Sequence, residues 1–210
     1  MHVRLSCLSL LLLSGVAAAQ LPPAAANGPA APVADAAALQ TISGQVRQYL
    51  LAPRGEVDGL LLTDGTQIAV PPHLQDALVA SVKAGDTVSV NGERESASRF
   101  VARQIDDATT AARVVDRGPG AETPPEPPVA DDEVAPATLS AHGVVSVLLS
   151  GPRGEVNGAV LDDGSVIRFA PRAGLYYADH LKTGSTISVS GFGVENKFGR
   201  VIEVQELRAD

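Results

Sequence analysis

The sequence predicts a mainly β chain that uses one small unit twice, and three observations lead there. A pattern recurs 99 positions on: Pro53-Arg54-Gly55-Glu56-Val57-Asp58-Gly59 with Asp64-Gly65-Thr66, then Pro152-Arg153-Gly154-Glu155-Val156-Asn157-Gly158 with Asp163-Gly164-Ser165. The copies align without a gap from Gly44/Gly143 through Ile105/Val204, and a match held in register that long marks a duplicated supersecondary unit. Apolar and polar residues alternate over short runs in each copy, the period of half-buried strands. A proline-rich acidic stretch lies between the copies, as a spacer between two folded units does.

In the first copy Ile42, Gly44 and Val46 alternate with Ser43, Gln45 and Arg47, which predicts a first strand. Pro53-Arg54-Gly55 is a turn, because proline presets one turn residue and glycine accepts a positive φ; a second strand, Glu56 to Leu62, follows it. Asp64-Gly65 signals a tight hairpin into a third strand, Thr66 to Val70. Pro71-Pro72 stops that strand. Leu74, Leu78 and Val82 then recur at helical spacing, with Asp76 near the start and Gly85 just beyond the end, which predicts a short helix. Thr87 to Asn91 and Phe100 to Ile105 supply the last two strands. The second copy repeats the order: Ala141 to Leu149, Glu155 to Leu161, Val166 to Phe169, a helix containing Tyr177 and Leu181 ended by Gly184, Thr186 to Ser190, and Arg200 to Glu206.

Three strands, a helix and two strands, with a glycine in a long first strand at Gly44 and Gly143, resemble the OB-fold, a five-stranded, partly open barrel. More narrowly, the Pro-Arg-Gly-Glu-Val-x-Gly, Asp-Gly-Thr/Ser and Gly-Asp/Ser-Thr-Val/Ile runs resemble those of small exported bacterial OB-fold proteins. The resemblance implies two tandem five-stranded barrels, each with a short helix between strands three and four. Another small barrel or a three-plus-two sandwich is the rival architecture. The expected divisions are a signal peptide over 1–19, a leader over 20–38, a first OB-like domain over 39–107, a linker over 108–137 and a second OB-like domain over 138–210. Units of this size bury only about 60% of their unfolded surface and are marginal alone, so packing of the copies on each other would help.

The signal peptide is read from Arg4, the apolar run Leu8 to Leu13 and the small residues Ala17-Ala18-Ala19, with cleavage near Ala19. The run is too short for a stable membrane span. Cys7, the one cysteine, leaves with the signal, which removes thiolate catalysis, disulfides and thiolate metal sites from the mature chain. These features predict a periplasmic or secreted protein. The Ala- and Pro-rich leader shows no hydrophobic period and is expected to stay unfolded.

An OB resemblance implies ligands on the face of strands two and three, between the loops after strands one and four. Residues 39–107 carry 6 cationic against 9 anionic side chains, 108–137 carry 2 against 6, and 138–210 carry 7 against 8. Strands two and three offer Phe169 as their sole aromatic. Phosphate neutralisation and base stacking both look poorly served, so nucleic acid is expected to be an unlikely partner. No nucleophile elbow, calcium loop or paired His ligand is found, so neither enzyme activity, a cofactor nor a metal is expected. The candidate ligand-binding residues are Arg54 and Glu56 with their repeats Arg153 and Glu155: a guanidinium fork suits an anion or carboxylate, while the plainer reading is a turn whose Arg pairs weakly on the surface. The function expected is a binding module for a small ligand or peptide; the alternative is a cell-envelope scaffolding component that binds a partner protein and no small ligand.

Overall fold

Twice in the chain one long strand serves two neighbours, and that device closes each barrel. The computed structural model describes residues 39–118, 135–170, 176–177 and 181–209; the expected signal peptide and leader, and residues 119–134 of the linker, lie outside the described residues. Strand β1 (Gln40–Leu51) pairs through Gln40–Gln45 with β4 (Thr87–Arg94) and through Val46–Leu51 with β2 (Val57–Leu62), with Arg47 bulged between Val46 and Gln48 at the start of the second stretch. Gly44 stands at the handover, where a Cβ would lie 2.9 Å from Leu62 Cδ1; a side chain would push β1 and β2 apart. Strand β3 (Gln67–Ala69) pairs antiparallel with β2 and parallel with β5 (Arg99–Asp107), which itself pairs with β4, so the ring is complete.

The second barrel repeats this plan with β7 (Ala137–Ser150), β8 (Val156–Leu161), β9 (Val166–Arg168), β10 (Thr186–Asn196) and β11 (Gly199–Ala209). The molecule is therefore mainly β, with two OB-like five-stranded barrels, as the sequence predicts. One strand was not foreseen: β6 (Arg113–Val115), in the stretch read as linker, adds to the outer edge of β5.

Between β3 and β4 the chain makes a 3-10 turn, Pro72–Leu74, and the helix α1 (Gln75–Ser81). Leu74, Leu78 and Val82 are all buried and cap one end of the first barrel. The helix ends because Val82 turns extended; Gly85, expected to stop it, instead takes φ +95° in the turn before β4. In the second barrel Tyr176 and Tyr177 are helical, and the Leu181 N–H donates to the Tyr177 carbonyl at 3.0 Å. The other residues at which the helix is expected, 171–175 and 178–180 with His180 among them, lie outside the described residues.

The gapless alignment fails in the last strand. Ile68 lies beside Phe100 in the first barrel, while Ile167, 99 positions after Ile68, lies beside Ile202, 102 positions after Phe100. The extra three residues lengthen β10 to eleven residues against eight in β4. The longer hairpin carries Val194, Asn196 and Phe198 out to the first barrel.

Candidate functional site

The face of strands two and three, expected to take a ligand, is closed in both barrels by the other barrel. In β9 alternate residues point to opposite faces, and the core divides accordingly: Ile167 joins Ala159, Leu161 and Ile202 inside the second barrel, while Val166 joins Val160, Leu149, Val194 and Val201 in a cluster continuous with the first barrel's core. Gln67, on the outward side of β3, is 1% exposed. Its side chain accepts from the Ser150 N–H at 2.9 Å and donates to the Leu148 carbonyl at 3.1 Å. Tyr49 of β1 meets Phe198 edge to face at 5.6 Å.

The contacts are reciprocal in place and not residue for residue: the ends of β1 and β7 are each held by a side chain from the other barrel's third strand, although the repeat of Gln67 is Val166 and that of Arg168 is Ala69. Arg168 Nε donates to the Leu51 carbonyl at 2.8 Å, and Gln67 binds Ser150, the repeat of Leu51. The turn at Gly55 packs on Val194 and Asn196 of the opposing hairpin, and the turn at Gly154 faces Ser96 of the other. At one contact the charge is one-sided. Arg168, only 9% exposed, sends Nη2 to both oxygens of Asp58 at 2.7 and 2.8 Å, whereas the repeat of Asp58 is the neutral Asn157. Burial raises the Asp58 carboxyl above its ordinary range against the pull of Arg168 and Arg99. Burial also lowers the Arg168 guanidinium.

This arrangement accounts for the Pro-Arg-Gly turns. Gly55 adopts φ +93°, a Cβ there would lie 2.8 Å from Val194 Cγ1, and the Gly55 carbonyl accepts from Asn196 Nδ2 at 2.9 Å. Arg54, Glu56, Arg153 and Glu155 are all exposed beside these contacts. Glu155 accepts from the backbone N–H of Arg153 at 2.9 Å and so braces its own turn. The structure thus brings the two arginines to opposite rims of one interface and does not unite them at a ligand cleft. Sequence reading missed Gln67, Asp58 and Arg168. Their signal was a polar or charged residue within or beside the short apolar runs of strands two and three.

An open concavity lies elsewhere, on the outer face of β7, β10 and β11. The ladder sets two rows across it: Ser140, Ser190 and Glu206 in one, His142, Ser188 and Arg208 in the other. These six line a groove of about 390 Å³, within the usual range of about 300–1,000 Å³ for small-molecule sites. His142 Nδ1 and Ser188 Oγ lie 3.0 Å apart. Phe192, two residues beyond Ser190 on the same strand and so on the same face, is 56% exposed.

His73 serves the first barrel differently. Its Nε2 meets Asp116 Oδ1 at 2.8 Å, and Arg103 holds the other oxygen at 3.0 Å. Asp116 also accepts from the Gly118 N–H at 2.8 Å; that bond foremost, with those from Arg103 and His73, holds its carboxyl below the ordinary range. The cluster fastens the chain leaving β6 onto the barrel. Among the described residues no group of three or more His, Cys, Asp or Glu is placed to hold a metal ion, and no helix is long and apolar enough to cross a membrane.

No family model and no curated protein matches the chain. Among solved structures it is similar to the wild-type single-stranded DNA binding protein from Thermus aquaticus, at 12% identity and TM-score 0.26, covering 81% of this chain and 91% of that one. A deletion mutant of the same protein matches at 12% identity and TM-score 0.25, covering 81% and 92%. Likeness this low assigns no ligand here. It does correct one expectation, since proteins named for binding single-stranded DNA stand among the matches: nucleic acid is not set aside as a partner on grounds of charge and sparse aromatics.

Proposed function

We propose that this chain is an exported binding module in which two OB-like barrels lock together through their strand-two and strand-three faces and act as one body, with the β7–β10–β11 groove as contact zone. The observation that carries this reading is the groove itself: six polar side chains converge on an open concavity while the face expected to bind is filled by protein. The groups present suit recognition of a small polar ligand or a peptide. Ser188 and His142 form one cross-strand pair on a solvent-facing sheet, and the reading treats that pair as binding and not catalytic. Export is supported by Arg4, the run Leu8 to Leu13 and Ala17-Ala18-Ala19, and implies a periplasmic or secreted location.

A ligand that binds only the folded state raises its apparent stability by mass action. Thermal-shift measurements of the mature protein with sugars, short peptides, nucleotides, a single-stranded oligonucleotide and metal ions are the test. A stabilising compound is expected to lose its effect in a His142→Ala/Arg208→Ala variant and keep it in Arg54→Ala/Arg153→Ala. The opposite pattern would return the site to the turns.

A further inference from the structure

We infer that the groove takes a neutral, polyhydroxylated ligand, a sugar or glycan segment, with Phe192 as its apolar platform. This rests on the groove being the contact zone and goes on to name what enters it.

Charge selects the class first. Glu206 and Arg208 lie two residues apart on one face of β11, a separation of about 7 Å along a strand. An anion drawn to Arg208 meets the Glu206 carboxylate, and a cation drawn to Glu206 meets the guanidinium. A neutral ligand escapes both penalties. Donor and acceptor chemistry narrows the class further. The rows combine a donor-only guanidinium, an acceptor-only carboxylate, and three serine hydroxyls and an imidazole that can do either. A sugar hydroxyl donates and accepts at once, so adjacent hydroxyls can satisfy both rows together, whereas a ligand with only acceptors leaves Glu206 unused.

Phe192 supplies the remaining half of the argument. Its ring is left in water beside Thr138 and Glu203 on the neighbouring strands. The corresponding place in β4 is Glu93, so the fold does not require an aromatic there. A pyranose has an apolar C–H face as well as its hydroxyl rim, and it can lay that face on the ring while the rim meets the serine rows. The groove is open along the sheet, which suits a segment of a longer glycan lying across it.

The test is titration of the mature protein with cellotriose, chitotriose, maltotriose and mannotriose, followed by amide chemical shifts. At least one sugar is expected to shift Ser140–His142, Ser188–Phe192 and Glu206–Arg208, with Phe192→Ala weakening binding about tenfold and Phe192→Tyr restoring it. If all four sugars leave those amides unmoved while inorganic phosphate, glycylglycine or a single-stranded oligonucleotide shifts them, the sugar assignment falls and the groove reading stands. If no probe moves them, both fall. Sugar binding unchanged in Phe192→Ala would remove the platform.

Discussion

The two barrels share a topology and differ on the outer sheet face, where neither touches the other. In the first barrel the places of the groove rows are held by Thr41, Asn91 and Gln104, and by Ser43, Ser89 and Asp106. There the polar groups answer one another: Asn91 donates to Thr41 at 3.1 Å, Gln104 to Asp106 at 2.6 Å, and Arg113 of β6 pairs with Asp106. The second barrel has Arg208 where the first has Asp106, and among the described residues no strand flanks β11 as β6 flanks β5. The duplication has kept the strand plan and the apolar interior; it has diverged on the outer sheet and also at the mating faces, where β10 is three residues longer and Arg168 stands in the place of Ala69. One copy carries an added strand beside β5, while the other leaves Glu206 and Arg208 exposed beside the His142–Ser188 pair.

The largest effect is expected at the mating faces. Leu61, fully buried and opposite Gln67 across the β2–β3 ladder, when changed to Ala should cost about 3 kcal/mol, and urea unfolding followed at the Ile68 and Ile167 amides should show both barrels losing stability together. If only Ile68 responds, the barrels are energetically separate. Arg168→Ala should cost about 3 kcal/mol, near the low end for breaking a buried ion pair because Asp58 keeps some contact with water. Restoring neutrality with Asp58→Asn in the same chain should recover part of that loss, as a double-mutant cycle would measure. Gly55→Ala should cost about 2 kcal/mol, from a strained positive φ and the crowding on Val194, whereas Gly65→Ala, with open space around it, reports the φ strain alone.

A smaller effect separates the barrels by pH. The Asp116 carboxyl is lower in the folded state than in the unfolded one, so its stabilisation is present above the unfolded value and lost as pH falls through the folded one. Amide exchange over Arg113–Gly118 should quicken below about pH 4, and Asp116→Asn should remove that dependence while leaving the second barrel unaffected. The smallest stability change belongs to the groove: Arg208→Ala should shift folding by less than about 0.5 kcal/mol, since its side chain lies on the exposed face. A larger loss would mean that Arg208 holds the sheet together.

Much of this was legible in the residues. The repeated turns, alternating runs and double proline gave strand order and the first helix, because local turn chemistry and periodicity depend on neighbours in sequence. The mating faces were half visible: Gly59-Leu60-Leu61-Leu62 and Gly158-Ala159-Val160-Leu161 are apolar at consecutive positions, which a strand with one wet face does not need. What covers them is a long-range fact that no local pattern carries. The three-residue lengthening of β10 was hidden because valine, glycine and charged residues recur throughout both hairpins and match acceptably in either register. Arg54 and Arg153 stood out because they repeat, yet it is the glycine beside them that the interface requires. The groove was invisible as such, since its six polar residues are scattered over three strands and acquire meaning only from the ladder.

The claim on which the rest depends is that the strand-two and strand-three faces of the two barrels are filled by each other. A nuclear Overhauser spectrum of the protein tests it directly. Cross-peaks are expected between the Tyr49 and Phe198 rings, and between the Gln67 side-chain amide and the Leu148–Ser150 backbone. Clear cross-peaks within each barrel with none between these pairs would contradict the account.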